Sequence, residues 1–137
     1  MGILSRAPLG MLERWHAGAN PPAYRWLRRP ETGLVMVRGR AGGTGEQFNL
    51  GEMTVTRCAL RLESGESGVA YVQGRSHRKA ELAAVADALL QSAAFKTVLE
   101  DLIGPVRARL QSDAEAMQRK AQATRVEFFT LAREAAE

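Results

Sequence analysis

The chain has 137 residues, 45% of them hydrophobic and 25% charged, with a formal net charge of +4. That suits one globular domain, and no apolar run approaches the roughly 20 residues that span a bilayer. Cys58 is the only cysteine, so an intramolecular disulfide and a cysteine metal cluster are excluded.

The opening "MGILSRAPLGML" has no clear secretory cleavage site. Arg6 stands where myristoylation needs a hydroxyl residue, so the expected location is the cytoplasm. Residues 8–17 predict a short helix, with Pro8 in its first turn and Leu9, Leu12 and Trp15 on one face. "GANPP" (18–22) breaks it, and "YRWLRRP" (24–30) reads as an aromatic and basic connector. Three strands follow: "GLVMVRGR" (33–40), "EMTVTRCALRL" (52–62) and "GVAYVQGR" (68–75), with a turn at 63–67.

Ser76 caps the next helix, and Lys79 at its third position rules out a reciprocal capping box. That helix, 77–91, carries Leu82, Val85, Ala86, Leu89 and Leu90 in one stripe. "FKTVLEDLI" (95–103) repeats the pattern. Gly104 and Pro105 interrupt it, and Pro105 opens a last helix to about residue 135. The stripe of that helix is Val106, Leu110, Ala114, Met117, Ala121, Thr124 and Phe128. Strands followed by helices indicate an α+β fold, and the short strand connections require an antiparallel sheet. The expected organisation is one domain, 1–137. It comprises a helix and connector to residue 30, an antiparallel sheet over 31–75 and helices over 76–137.

Four glycines, Gly39, Gly42, Gly43 and Gly45, crowd the first hairpin connection with Thr44 and Glu46. A Walker loop needs a lysine after its last glycine, and Glu46 stands there instead. A dinucleotide fingerprint leads into a helix, whereas this loop leads into a strand. The remaining readings are a flexible hairpin tip, a loop that docks a partner, and a nest of amides for an anion.

Alternation adds a second clue. Thr54, Thr56, Cys58, Leu60 and Leu62 share one side of the second strand, and Met53, Val55, Arg57, Ala59 and Arg61 the other. Arg38 and Arg40 share a face of the first strand, and the third ends at Gln73, Gly74 and Arg75. One sheet face is therefore expected to be apolar and helix-covered. The other carries arginines, either solvated or used for docking. Sixteen of the nineteen basic residues are arginine, whose planar fork grips phosphates and carboxylates. A genome that favours arginine codons gives the same composition.

No acid–base pair or nucleophile dyad emerges. His16 and His77 lack a paired metal motif, Cys58 reads as a small buried residue, and Glu81 and Asp87 lie six apart on a helix and do not share a face.

The segments "RPETGLVMVRGRAGGTGEQFNLGEMTVTRCALRL", "GVAYVQGRSHRKAELAAVADALLQ" and "TRVEFFTLARE" resemble the PhnG family of the bacterial carbon–phosphorus lyase system, from about residue 22 to the end. The resemblance implies a subunit that acts with PhnH, PhnI and PhnL. In that step an alkylphosphonate displaces adenine from ATP to give a ribose 1-alkylphosphonate 5-triphosphate. It further implies a core of PhnG, PhnH, PhnI and PhnJ, to which PhnK attaches. The family supplies no catalytic residue to carry over and no cofactor held by this chain alone, with ATP a substrate of the complex. Read with the resemblance, the positions to watch for partner or phosphate contact are Arg38, Arg40, Gly42, Gly43, Thr44, Gly45, Glu46, Thr56, Arg57, Gln73, Gly74 and Arg75. A salt bridge to PhnI is the plainer role for the arginines.

The other reading is an independent basic module that binds nucleic acid or protein. At 6% aromatic residues, with no aromatics alternating with the arginines, stacking on single strands is poorly served. The last helix raises its own question. It would be roughly 46 Å long at about 1.5 Å per residue, against a globule of roughly 37 Å. Its end bears Arg125, Phe128, Phe129 and Leu131, expected either to dock on another subunit or to fold back through a kink at Gln122–Thr124.

Overall fold

The computed structural model describes residues 1–136, and the side chains of all of these except Ala41, Phe129 and residues 134–136. The fold is α+β. It comprises two units, Met1–Val106 and Arg107–Glu137.

Two short helices open the first unit, α1 (Gly2–Arg6) and α2 (Leu9–Ala19), where one was expected. Pro8 is the cap of α2 rather than a residue of its first turn. Leu4, Leu12 and Trp15 are buried, while Leu9 stays partly exposed. Asn20 ends α2 in the left-handed conformation, φ 46, and Pro21 and Pro22 cannot continue it.

Three antiparallel strands follow in the order β1-β2-β3: β1 (Tyr24–Arg40), β2 (Gln47–Leu62) and β3 (Ser67–Gln73). The supposed connector 24–30 is thus the first part of β1. Register shifts between Trp26 and Arg28 and again between Arg28 and Glu31 break its alternation. Pro30 beside the second bulge sits on an edge strand, where a missing N–H is tolerated. The second strand also starts earlier than expected, at Gln47, and β3 stops at Gln73.

The sheet face that bears Thr56, Cys58, Leu60 and Leu62, with Ala70 and Val72 of β3, is buried. Helix α3 (His77–Leu89) covers it, and the Ser76 hydroxyl accepts from the Lys79 amide as its cap. The approach is close. A Cβ added to Gly68 would lie 1.9 Å from the Ala84 carbonyl oxygen. Burial in α3 is not one stripe: Leu82 through Ala86 are all buried, because α1 and α2 also contact this helix. Alanines at 80, 83, 84, 86 and 88 keep it slim enough to be enclosed. Cys58 is buried as expected, and burial pushes its thiol up to about 11.

After α3 the chain makes a helical turn, α4 (Phe95–Val98), then a π turn (Leu99–Ile103), and runs directly into α5 (Gly104–Ala136). Gly104 and Pro105 therefore do not interrupt the helix. The widened π turn, with the Gly104 amide bonded to the Leu99 carbonyl, absorbs a proline whose ring and missing N–H disturb a regular ladder. Helix α5 is continuous, with no break at Gln122–Thr124. No described helix is long and apolar enough to cross a membrane.

Candidate partner and phosphate interface

The first hairpin is long. It closes at the pair Arg40 and Gln47 around a 3-10 turn, Ala41–Gly43. Gly42 and Gly43 take φ of 62 and 79 with open space about them, so conformation rather than crowding calls for glycine there. Thr44 and Glu46 are exposed and Gly45 half-buried. Between Gly33 and Thr54 no residue with a described side chain is buried. The arm is also apolar on its surface: Leu34 and Leu50 are each 61% exposed, and Met36 and Phe48 are exposed too.

The structure does not gather the four arginines. Alternation from Thr32 sets Arg38 and Arg40 on the side of β1 that carries Leu34 and Met36. Arg57 lies on the opposite face of the sheet, beside Tyr71, and pairs with Glu31 across the strands at 2.7 Å. Seven residues of strand separate Glu31 from Arg38, about 23 Å at strand rise. Arg75 follows β3 in the bend before α3, and Gln73 and Arg75 are both exposed. Among the described residues Arg38, Arg40 and Arg75 have no ion-pair partner. The open face is not simply basic either, since Val69 and Tyr71 are exposed there.

Thr56 does not face solvent. It is fully buried, and its hydroxyl donates to the Gly74 carbonyl at 2.7 Å. The Gly74 amide in turn donates to the Thr54 carbonyl at 2.8 Å. Thr32 Oγ1 is 3.1 Å from Thr56 Oγ1 and 3.2 Å from His77 Nε2. Each hydroxyl has one proton. Thr56 gives its proton to Gly74, so Thr32 must donate to Thr56, and His77 must donate from Nε2. This four-member chain ties β1 and β2 to the corner that presents Arg75.

A second polar cluster joins α2, β1 and α3. Tyr24 donates to Glu81, which also pairs with Arg78 at 3.4 Å. Burial first, and then the bond to Glu81, push the Tyr24 phenol up to about 12. Burial, then the Arg78 charge, lowers the His16 imidazole, while Glu81 opposes. Sequence reading missed Glu31, Thr32 and this cluster, because each depends on strand register within 24–32. The acidic and hydroxyl residues just after Pro30, opposite Arg57 and Thr56, were the only signal.

On α5, Phe128 and Leu131 are exposed, as is Arg125, and the Phe129 side chain lies outside the described residues.

The sequence profile of a family described as phosphonate metabolism protein PhnG matches residues 1–134, beyond the expected stretch from about residue 22. A relative from Rhizobium meliloti (strain 1021), the alpha-D-ribose 1-methylphosphonate 5-triphosphate synthase subunit PhnG, is 47% identical over 134 residues. The match spans 97% of this chain and 86% of the relative. With both matches running almost end to end, the chain belongs to the PhnG family.

Proposed function

We propose that this chain is a subunit of a phosphonate-processing synthase that transfers the ribose triphosphate of ATP to an alkylphosphonate and releases adenine. The 47% identity to a subunit of ribose 1-methylphosphonate 5-triphosphate synthase over 97% of the chain carries the reading. Its partners are PhnI, PhnH and PhnJ in the core, with PhnK and PhnL, and its place is the cytoplasm. The chain completes or braces a site rather than holding the chemistry, and it binds no cofactor by itself.

The hairpin arm is the contact surface. It bears Arg38, Arg40, Gly42, Gly43, Thr44, Gly45 and Glu46 at its end and exposed Leu34 and Leu50 along its length. Arg57 on the open sheet face, and Gln73, Gly74 and Arg75 at the β3–α3 corner, form the second and third contacts. The test is reconstitution. The chain alone, given ATP and methylphosphonate, releases no adenine. Adding PhnH, PhnI and PhnL starts release, and leaving out this chain returns it to background. Steady turnover by the chain alone, or full activity without it, overturns the reading.

A further inference from the structure

The unit Arg107–Glu137 holds one element, the greater part of α5. Along it Leu110, Ala114, Met117, Ala121, Thr124, Phe128 and Leu131 recur at alternating steps of four and three. That is the spacing of a helix that lies along another with interlocked side chains. The seam runs about 32 Å at helical rise. Met117 is 74% and Leu131 64% exposed, and Ala114, Ala121 and Thr124 face solvent as well.

Size and charge along this seam select a partner. Two copies laid parallel would stack Ala114 on Ala114 and Ala121 on Ala121, which leaves gaps. They would also set Lys120 against Arg125 of the other copy, a like-charge pair twice over. An antiparallel pairing with Ala121 opposite Thr124 behaves differently. It puts Ala114 against Leu131, so small meets large, and Met117 against Phe128. The same register sets Lys120 of each copy against Glu127 of the other, and Arg125 against the neutral Gln118. Among the described residues Lys120 and Glu127 have no ion-pair partner within the chain. Asp113, another acid beside the seam, is held by Arg109 at 3.3 Å on its own helix. Val126, also exposed, lies on the opposite side of α5 and takes no part.

We propose that two copies of this chain associate through α5 as an antiparallel pair along the Leu110–Leu131 seam, locked by reciprocal Lys120 and Glu127 contacts. The test uses the full chain alone, without partner subunits or substrates, so its outcome is separate from that of the synthase reading. Sedimentation equilibrium should give a monomer–dimer equilibrium. Lys120→Glu and Glu127→Lys should each weaken it at least tenfold, and the double exchange should restore it. Met117→Asp should give a monomer with unchanged sheet signal. On oxidation, an Ala114→Cys chain should cross-link to a Leu131→Cys chain and not to itself; native Cys58 is buried and does not compete. A monomer at every concentration overturns the proposal, including the case in which Met117→Asp instead costs binding of another synthase subunit. So does tighter dimerisation of Lys120→Glu, or self-linked Ala114→Cys, both of which mark a parallel pair.

Discussion

The β1–β2 hairpin has two halves that share one antiparallel pairing, shifted in register at Trp26–Arg28, Arg28–Glu31 and Val37–Arg38, and they differ in what covers their side chains. Near Leu60 the face that bears Thr56, Cys58, Leu60 and Leu62 is buried under α3, whereas between Gly33 and Thr54 no described side chain is buried on either face. Hydrogen-bonded pairing thus shapes the arm without the apolar cover that supplies most folding free energy. An arm with exposed Leu34, Met36, Phe48 and Leu50 has surface left for another molecule.

The sharpest way to break that comparison is to alter each half in turn. In the covered half, Gly68→Val would drive a side chain into the Ala84 carbonyl of α3. The cost should exceed about 3 kcal/mol, enough to unfold a marginal domain. Leu82→Ala should cost about 2–5 kcal/mol. In the arm, Leu50→Ala should change stability by no more than about 0.5 kcal/mol. Urea denaturation measures all three. An arm substitution as costly as the core ones would mean that the two halves do not differ as described.

The tip gives the next largest effect, on assembly rather than stability. Alanine at Gly42, Gly43 and Gly45 together imposes side chains where Gly42 and Gly43 hold positive φ, at roughly 1–2 kcal/mol per strained position. The tip has few core contacts, so the sheet and helices should survive. Association with the partner subunits, and adenine release, should fall at least tenfold in a pull-down and a coupled assay. A triple variant that assembles and turns over normally would reduce the loop to a connector.

Much of the covered half was legible from sequence. Alternation in 56–62, the Ser76 cap and the antiparallel order follow from local rules and stand in the structure, whereas Val55, expected on the arginine face, is buried as well. The start of β1 was not legible, because bulges around Leu27 and Pro30 spoil its alternation. With that start went the Glu31 partner of Arg57 and the Thr32–Thr56–His77 chain, contacts that depend on register across 24 residues or more. The π turn hid for another reason: Gly104-Pro105 is a helix breaker by local rules, and only a widened turn tolerates it. Of the candidate contact residues, Thr56 was read from its neighbours rather than its face. Its buried hydroxyl belongs to the corner that carries Arg75.

The arginines sharpen the comparison further, with a smaller effect on the fold. Arg57 and Glu31 are each about half exposed, so their bridge should contribute no more than about 1 kcal/mol. Arg57→Gln should therefore cost little in thermal stability, and Arg75→Gln, which loses no ion pair, less still. Both should lower adenine release by the assembled synthase. A large fall in melting temperature with activity intact would place these arginines in the framework and not at a contact.

The smallest effect expected belongs to the covered half and separates it from the arm by pH. Burial and the Arg78 charge favour neutral His16, against Glu81, so its pKa in the folded chain lies below the ordinary 6.5. Below 6.5 the unfolded chain takes up the proton more readily than the folded one. The contribution of His16 is therefore fully present above 6.5 and is lost as pH falls through its lowered folded value. His16→Gln should flatten the stability profile on the acid side of neutrality. The denaturation midpoint, followed from neutral to mildly acid pH for both chains, measures this. A Leu50→Ala arm variant should keep the native slope, because the groups that act on His16, Arg78 and Glu81, stand on α3 and not on the arm. Equal slopes in native and His16→Gln chains would show that the imidazole is not held neutral by the fold.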